Sequence, residues 1–236
     1  MSINLQVENL PIRIICATRA SRDSFLFSTA TGKSIRSFIN VSKVEVRLFA
    51  ENKIGLSKVY NIAIRESKNN PAILVFMHDD IWISDFFWAE RIRSNITRFD
   101  VIGLAGNKRR LPFQPGWFFI NDKFEPDLSS NLSGAVGHGQ SFTSFSVQYY
   151  GLPEQPCLLL DGLFLAVKSE TLLSNNIFFD ERFTFHFYDL DFCRTLENAK
   201  LSMGTFSLSV IHQSGGSFNS LAWQQAFDLY LKKWQN

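Results

Sequence analysis

Through the first half of the chain, short apolar runs rich in branched residues alternate with segments of helical period. Ile12 to Thr18, Val44 to Phe49, Ala72 to Met77 and Val101 to Ala105 read as strands. Between them Leu56, Val59, Tyr60, Ala63 and Ile64 recur at helical spacing, as do Trp88, Ile92 and Ile96, which predicts two crossover helices. Strands joined in this way form a mostly parallel central sheet flanked by helices, an α/β architecture. From Asn107 to Pro156 the pattern breaks into Gly, Pro, Ser and Asn with aromatics such as Trp117, Phe118 and Phe119 between them. This predicts loops and short hairpins, and a run of this length inside a compact domain marks a functional surface. Order returns with Leu158 to Val167, a strand interrupted at Asp161-Gly162, then a helix carrying Leu190 to Asn198. Trp223, Ala226, Phe227, Tyr230, Leu231 and Trp234 share one face of a closing amphipathic helix. That face packs on the sheet, or, with Lys232 and Lys233, docks on a membrane or partner.

The chain has 236 residues, 45% hydrophobic and 19% charged, which supplies a full core for one sizeable domain and excludes intrinsic disorder. A formal charge of +2, from 24 basic and 22 acidic residues spread along the chain, gives no field for nucleic acid. Cys16, Cys157 and Cys193 are odd in number and far apart, so neither a disulfide framework nor a zinc knuckle is indicated, and a reducing cytosol fits. No apolar run approaches the roughly 20 residues that span a bilayer, so a soluble protein is expected.

Chemistry concentrates in four places. His78-Asp79-Asp80 closes an apolar run, where loops beyond strand ends reach ligands in open α/β sheets. Carboxylates and histidines suit Mg²⁺ or Mn²⁺, the ions that a leaving diphosphate needs, so the residue types suggest a metal-assisted nucleotide-sugar site. An acidic pair after a strand also serves as a helix cap or solvated turn. Asp189 and Asp191 lie two apart at a helix start, so one can face a cleft while the other caps the helix. The aromatics before them, Phe183, Phe185, Phe187 and Tyr188, can raise the pKa of an adjacent carboxylate, as a general base requires. His212 ends a β-rich run from Phe206 to Ile211 and precedes Gln213-Ser214-Gly215-Gly216-Ser217, a loop whose amides can approach phosphate, although a histidine at a strand end is also a common structural residue. His138, in Gly-His-Gly, reads as an exposed loop residue. Asp180 and Glu181 read as a turn, and Arg194 either supports the carboxylates or covers its helix. Ser57, Asn61 and Gly55 begin a helix, where they cap it or contact the nucleotide.

Together these segments resemble family 2 glycosyltransferases of GT-A fold, and more narrowly the bacterial glycosyltransferase-like branch related to streptomycin-biosynthesis proteins. The resemblance runs over nearly the whole chain. It is carried by Ile14-Ile15-Cys16-Ala17-Thr18-Arg19, by Gly55-Leu56-Ser57-Lys58-Val59-Tyr60-Asn61-Ile62-Ala63 and by Leu74-Val75-Phe76-Met77-His78-Asp79-Asp80-Ile81. In the second half Leu160-Asp161-Gly162-Leu163-Phe164-Leu165-Ala166-Val167, Phe179-Asp180-Glu181, Tyr188-Asp189-Leu190-Asp191-Phe192-Cys193 and His212-Gln213-Ser214-Gly215-Gly216-Ser217 add to it. The resemblance implies a single domain over 1–236, with a nucleotide-binding half to about residue 106 and an acceptor-binding, catalytic half after it. It implies Asp189 as catalytic base, and Asp80 with His212 as contacts to Mn²⁺ or Mg²⁺ and the diphosphate. Thr18 and Arg19 would lie near the nucleoside, Asp161 and Gly162 near the sugar or acceptor, with His78, Asp79, Ser57 and Asn61 completing the donor site. His78 stands where the first acid of Asp-x-Asp is expected, which bears on metal dependence and nucleotide choice. Tyr188 replaces an acidic residue that often precedes the base, which bears on the tuning of Asp189.

The activity so implied is inverting transfer of a sugar from a UDP-, GDP- or dTDP-sugar to a glycan or lipid-linked acceptor in bacterial surface polysaccharide synthesis. The setting would be cytoplasmic, at the inner face of the membrane, with peripheral membrane contact and homo-oligomerisation as further expectations. A catalytically weak GT-A domain that binds nucleotide-sugar or glycan is the alternative. A metal-dependent hydrolase of nucleotide diphosphates is a third.

Overall fold

The computed structural model describes residues 7, 9–38, 41, 43–216 and 218–235, so Ser217 lies outside the described residues. Twelve strands and seven helices are described below. β1 (Ile12–Ala17), β2 (Val44–Phe49) and β3 (Ile73–Met77) stand where the apolar runs predict them. β1 lies between β2 and β3 and pairs with both in parallel. The five residues of β3 are all buried, as a central strand covered on both faces requires. The crossover from β2 to β3 is α3 (Leu56–Glu66), which buries Val59, Tyr60, Ala63 and Ile64 at the spacing read from the sequence.

The crossover from β1 to β2 holds α1 (Arg22–Ser28) and α2 (Ala30–Ser37), which the apolar pattern does not reveal. Both are short, α2 has Ile35 as its one large apolar residue, and both begin on side-chain caps: Ser21 accepts from the Ser24 amide and Thr29 from the Gly32 amide. After β3 come β4 (Ile81–Ile83), α4 (Trp88–Asn95), β5 (Val101–Gly103) and β6 (Ala105–Asn107).

The segment read as loops and short hairpins contains a longer hairpin, β7 (Leu132–Ser141) with β8 (Ser144–Gly151). Gly134, Gly137 and Gly139 interrupt the alternation that would announce β7. At Gly134 the glycine is required: φ is +97°, and an added Cβ would sit 1.9 Å from the Leu104 carbonyl oxygen. β9 (Leu159–Leu160) and β10 (Phe164–Lys168) flank the predicted interruption at Asp161-Gly162. The chain continues through α5 (Ser169–Ser174), α6 (Tyr188–Asn198), β11 (Met203–Thr205), β12 (Val210–His212) and α7 (Leu221–Trp234).

The central sheet has the order β11-β5-β10-β3-β1-β2, with β10 antiparallel to both of its neighbours and the other pairs parallel. A second sheet, β4-β12-β7-β6-β9 with β8 on β7, is mostly antiparallel and absent from the sequence reading. Most of its strands are short or glycine-rich, so apart from the run that ends at His212 the apolar pattern does not mark them. Among the described residues no helix is long and apolar enough to cross a membrane. The face of α7 packs inward through Trp223 and Tyr230. Lys233 bonds Asp191 at 2.6 Å and Asp180 at 2.9 Å.

Candidate active site

A cleft of about 830 Å³ opens where the two sheets meet. His78, Asp79, Asp80, Asp161, Gly162, Asp189 and His212 all line it. β3 delivers the first three: the chain leaves Met77, turns, and re-enters β4 at Ile81. Thr31 holds that turn from beneath. Its Oγ1 donates to the His78 carbonyl at 2.7 Å and accepts from the Ile81 amide at 3.3 Å, while its amide donates to the Asp79 carbonyl at 3.1 Å. The two acidic side chains then part. Asp79 Oδ2 accepts from Thr18 Oγ1 at 2.6 Å, at the end of β1, whereas Asp80 turns to β12.

β4 and β12 pair antiparallel with His212 opposite Ile81, which sets Asp80 beside the histidine. His212 Nε2 lies 3.3 Å from Asp80 Oδ2 and 3.1 Å from Ser214 Oγ. Burial lowers the His212 pKa, but the bond and charge of Asp80 outweigh it and leave the group raised. Burial acts the other way on Asp80, and the His212 hydrogen bond and charge hold that carboxyl well below the usual carboxylate range. One ligand atom from each of His78, Asp80 and His212 lies within 4.8 Å of the others. Asp80 Oδ1 is buried without a hydrogen-bond partner.

His78 is oriented through its far nitrogen. Its Nε2 is 2.9 Å from Tyr188 Oη, and that hydroxyl donates its proton to the Gly162 carbonyl at 2.7 Å. The hydroxyl can therefore only accept from the ring, so Nε2 carries the hydrogen and Nδ1 keeps a free lone pair. Burial lowers the pKa of this histidine and favours the neutral ring that ligates metals. Tyr188 thus gains a role where an acidic residue was expected.

The same Gly162 reaches the predicted base. Its amide donates to Asp189 Oδ2 at 3.0 Å, and Asp189 Oδ1 accepts from the Leu190 amide at 2.9 Å in the first turn of α6. Burial, then the neighbouring charge of Asp161, push the Asp189 carboxyl up to about 7, against the pull of those backbone amides. Only glycine fits at 162, because a Cβ there would meet Tyr188 Oη at 2.5 Å and Asp189 Cβ at 2.8 Å. Asp191 points away from the cleft, 1% exposed at its side chain, into the ion pair with Lys233 and a hydrogen bond from Trp234 Nε1.

Four of the predicted donor contacts, Thr18, Arg19, Ser57 and Asn61, are not among the residues that line the cleft. Ser57 is buried and donates to the Phe183 carbonyl at 2.5 Å. Asn61 is buried too, bonding the carbonyl and amide of Phe179 at 2.9 and 2.8 Å. Both tie α3 to the segment before α6. Thr18 is buried against Asp79, and Arg19 is exposed beside the end of β1. Asp180 and Glu181 belong to a turn as read, with Arg182 donating to Asp180, and Arg194 lies over the Trp234 ring at 4.5 Å.

The sequence pattern puts His138 in an exposed loop, and the structure differs. His138 lies in β7 in register with His212 and lines the cleft, as do Gln148, Tyr150, Trp117 and Phe218. The signal that would have found it is positional: pairing β7 with β12 sets two histidines side by side.

No protein-family model matches the chain, and no curated protein matches it. Among solved structures it is similar to GalNAc-T7 with UDP, GalNAc and Mn²⁺, at a TM-score of 0.51 and 10% identity over 95% of this chain and 48% of that one. The chain therefore spans about half the length of that protein. Weaker likenesses are to A197 from STIV (TM-score 0.48, 11% identity, 89% of this chain and 98% of that one) and to S. aureus TarS (0.43, 12%, 87% and 37%). What the likeness shows is architecture: the chain has a fold like that of GT-A glycosyltransferases.

Proposed function

We propose that the protein is a metal-dependent glycosyltransferase that moves a sugar from a UDP-, GDP- or dTDP-sugar to a hydroxyl of a glycan or lipid-linked acceptor, with inversion, in bacterial surface polysaccharide synthesis. The observation that carries this reading is the meeting of His78, Asp80 and His212 with Asp189 along one cleft. The residues present fit a divalent ion: a buried carboxylate oxygen lacks any partner, and two imidazoles with a carboxylate suit a borderline ion such as Mn²⁺ better than Mg²⁺, which prefers oxygen ligands alone. When bound, such an ion supplies positive charge against which a departing diphosphate is stabilised. GalNAc-T7 is a precedent for UDP and Mn²⁺ on this fold.

The chain's own residues supply the rest. Asp189, held by the Gly162 amide, takes the proton of the accepting hydroxyl as that oxygen attacks the anomeric carbon and the bond to the diphosphate breaks. A diphosphate leaves without a general acid, so one carboxylate suffices, unlike the paired acids of glycoside hydrolysis. The Thr18–Asp79 bond holds Asp79 at the end of β1, where the nucleoside would lie. The three described cysteines are buried and free, in keeping with a reducing, cytoplasmic setting.

The test is a transfer assay with each of the three nucleotide-sugar classes and Mn²⁺, reading both nucleoside diphosphate release and product mass on a glycan acceptor mixture. Release with a glycosylated product supports the proposal. Release of free sugar alone would favour a hydrolase, and no release from any donor would favour a binding module.

A further inference from the structure

One wall of the cleft is left over by the transfer chemistry. β7 and β8 bring His138, Gln148 and Tyr150 to it, and the loop before β7 lays Trp117 and Phe118 against Tyr150, with ring centroids 4.8 and 5.3 Å away. The polar atoms form a file: His138 Nε2 is 3.3 Å from Tyr150 Oη, which is 3.3 Å from Gln148 Oε1. Flat apolar rings beside a row of hydrogen-bonding groups complement a sugar, which has a C–H face and a rim of hydroxyls.

Charge narrows the class. The carboxylates that line the cleft are Asp79, Asp80, Asp161 and Asp189, and no lysine or arginine is among the described lining residues. A phosphate or carboxylate brought to this wall would lie near Asp161, whose charge acts on both His138 and Tyr150, with no lysine or arginine among the lining residues to meet it.

We infer that the wall formed by Trp117, Tyr150, His138 and Gln148 is a subsite for an uncharged sugar ring of the acceptor, and that it refuses acceptor units carrying phosphate or carboxylate. His138 and Gln148 read the ring hydroxyls. This rests on the transferase reading of the cleft and specifies the unit that adjoins the accepting hydroxyl.

The experiment is saturation-transfer NMR on the whole chain with the methyl glycosides of glucose, galactose and N-acetylglucosamine, set against glucuronate and glucose 6-phosphate. Neutral glycosides are expected to bind, with the anionic probes weaker by about tenfold or more. Gln148→Leu and His138→Leu should each weaken the neutral probes by about tenfold. Thermal unfolding checks that each variant folds, and Gln148, on the exposed strand, is read alone if His138→Leu does not. Anionic probes that bind as tightly as neutral ones overturn the inference, as does neutral binding indifferent to the substitutions, or no binding of any probe. Titration of the unaltered chain with UDP, GDP and dTDP in Mn²⁺ is read separately. Failure there with glycoside binding intact defeats the transferase reading and not the subsite.

Discussion

Asp189 is the residue on which the proposed chemistry turns. Asp189→Asn should lower the transfer rate by about 10²- to 10⁴-fold while nucleotide affinity, measured by calorimetry, stays near its original value. Because burial and Asp161 push its carboxyl up to about 7, the ionised base accumulates only as pH rises through that value. The kcat/KM profile should therefore climb below about pH 7 and level off above it, and a profile flat from pH 5 to 8 would remove Asp189 as the base. Tyr188 positions His78 through a 2.9 Å contact, so Tyr188→Phe should weaken Mn²⁺ binding by about 10- to 100-fold, read by calorimetry in the absence of donor. The cleft residues that the sequence made legible, Asp80, Asp189 and His212, follow recognisable strand or helix boundaries. Thr31 and His138 were not legible, since what makes them matter is a turn 47 residues away in the chain and a strand partner hidden by glycines.

At the scale of elements, Ser57 and Asn61 hold α3 to the segment before α6. Ser57→Ala should cost about 1–2 kcal/mol in denaturant unfolding, because the Phe183 carbonyl loses its partner, and should leave nucleotide affinity unchanged. Loss of nucleotide binding in a folded Ser57→Ala chain would return that residue to the donor site. Lys233 fastens α7 to α6 and to the preceding turn, so Lys233→Met should destabilise by about 2–3 kcal/mol by stranding the buried Asp191. β1, β2, β3 and α3 were readable because their burial writes itself as apolar runs and helical period. α1 and α2 were not, being fixed by caps, and the β7–β8 hairpin was not, being fixed by cross-strand register.

For the whole molecule, the two sheets matter because their junction assembles one site from distant segments. The central sheet supplies the His78–Asp80 turn, the second sheet supplies His212, and Gly162 between β9 and β10 joins Tyr188 to Asp189. The central sheet could be foreseen from the sequence, whereas the second sheet, with its short strands, could not. The central claim is that this junction binds a nucleoside diphosphate through a divalent ion. Its most direct test is calorimetric titration with UDP, GDP and dTDP, each with and without Mn²⁺, on the unaltered chain and on Asp80→Ala. The account predicts Mn²⁺-dependent binding of at least one nucleotide, lost in Asp80→Ala. Binding that is indifferent to both the ion and Asp80, or no binding to any of the three, would contradict it.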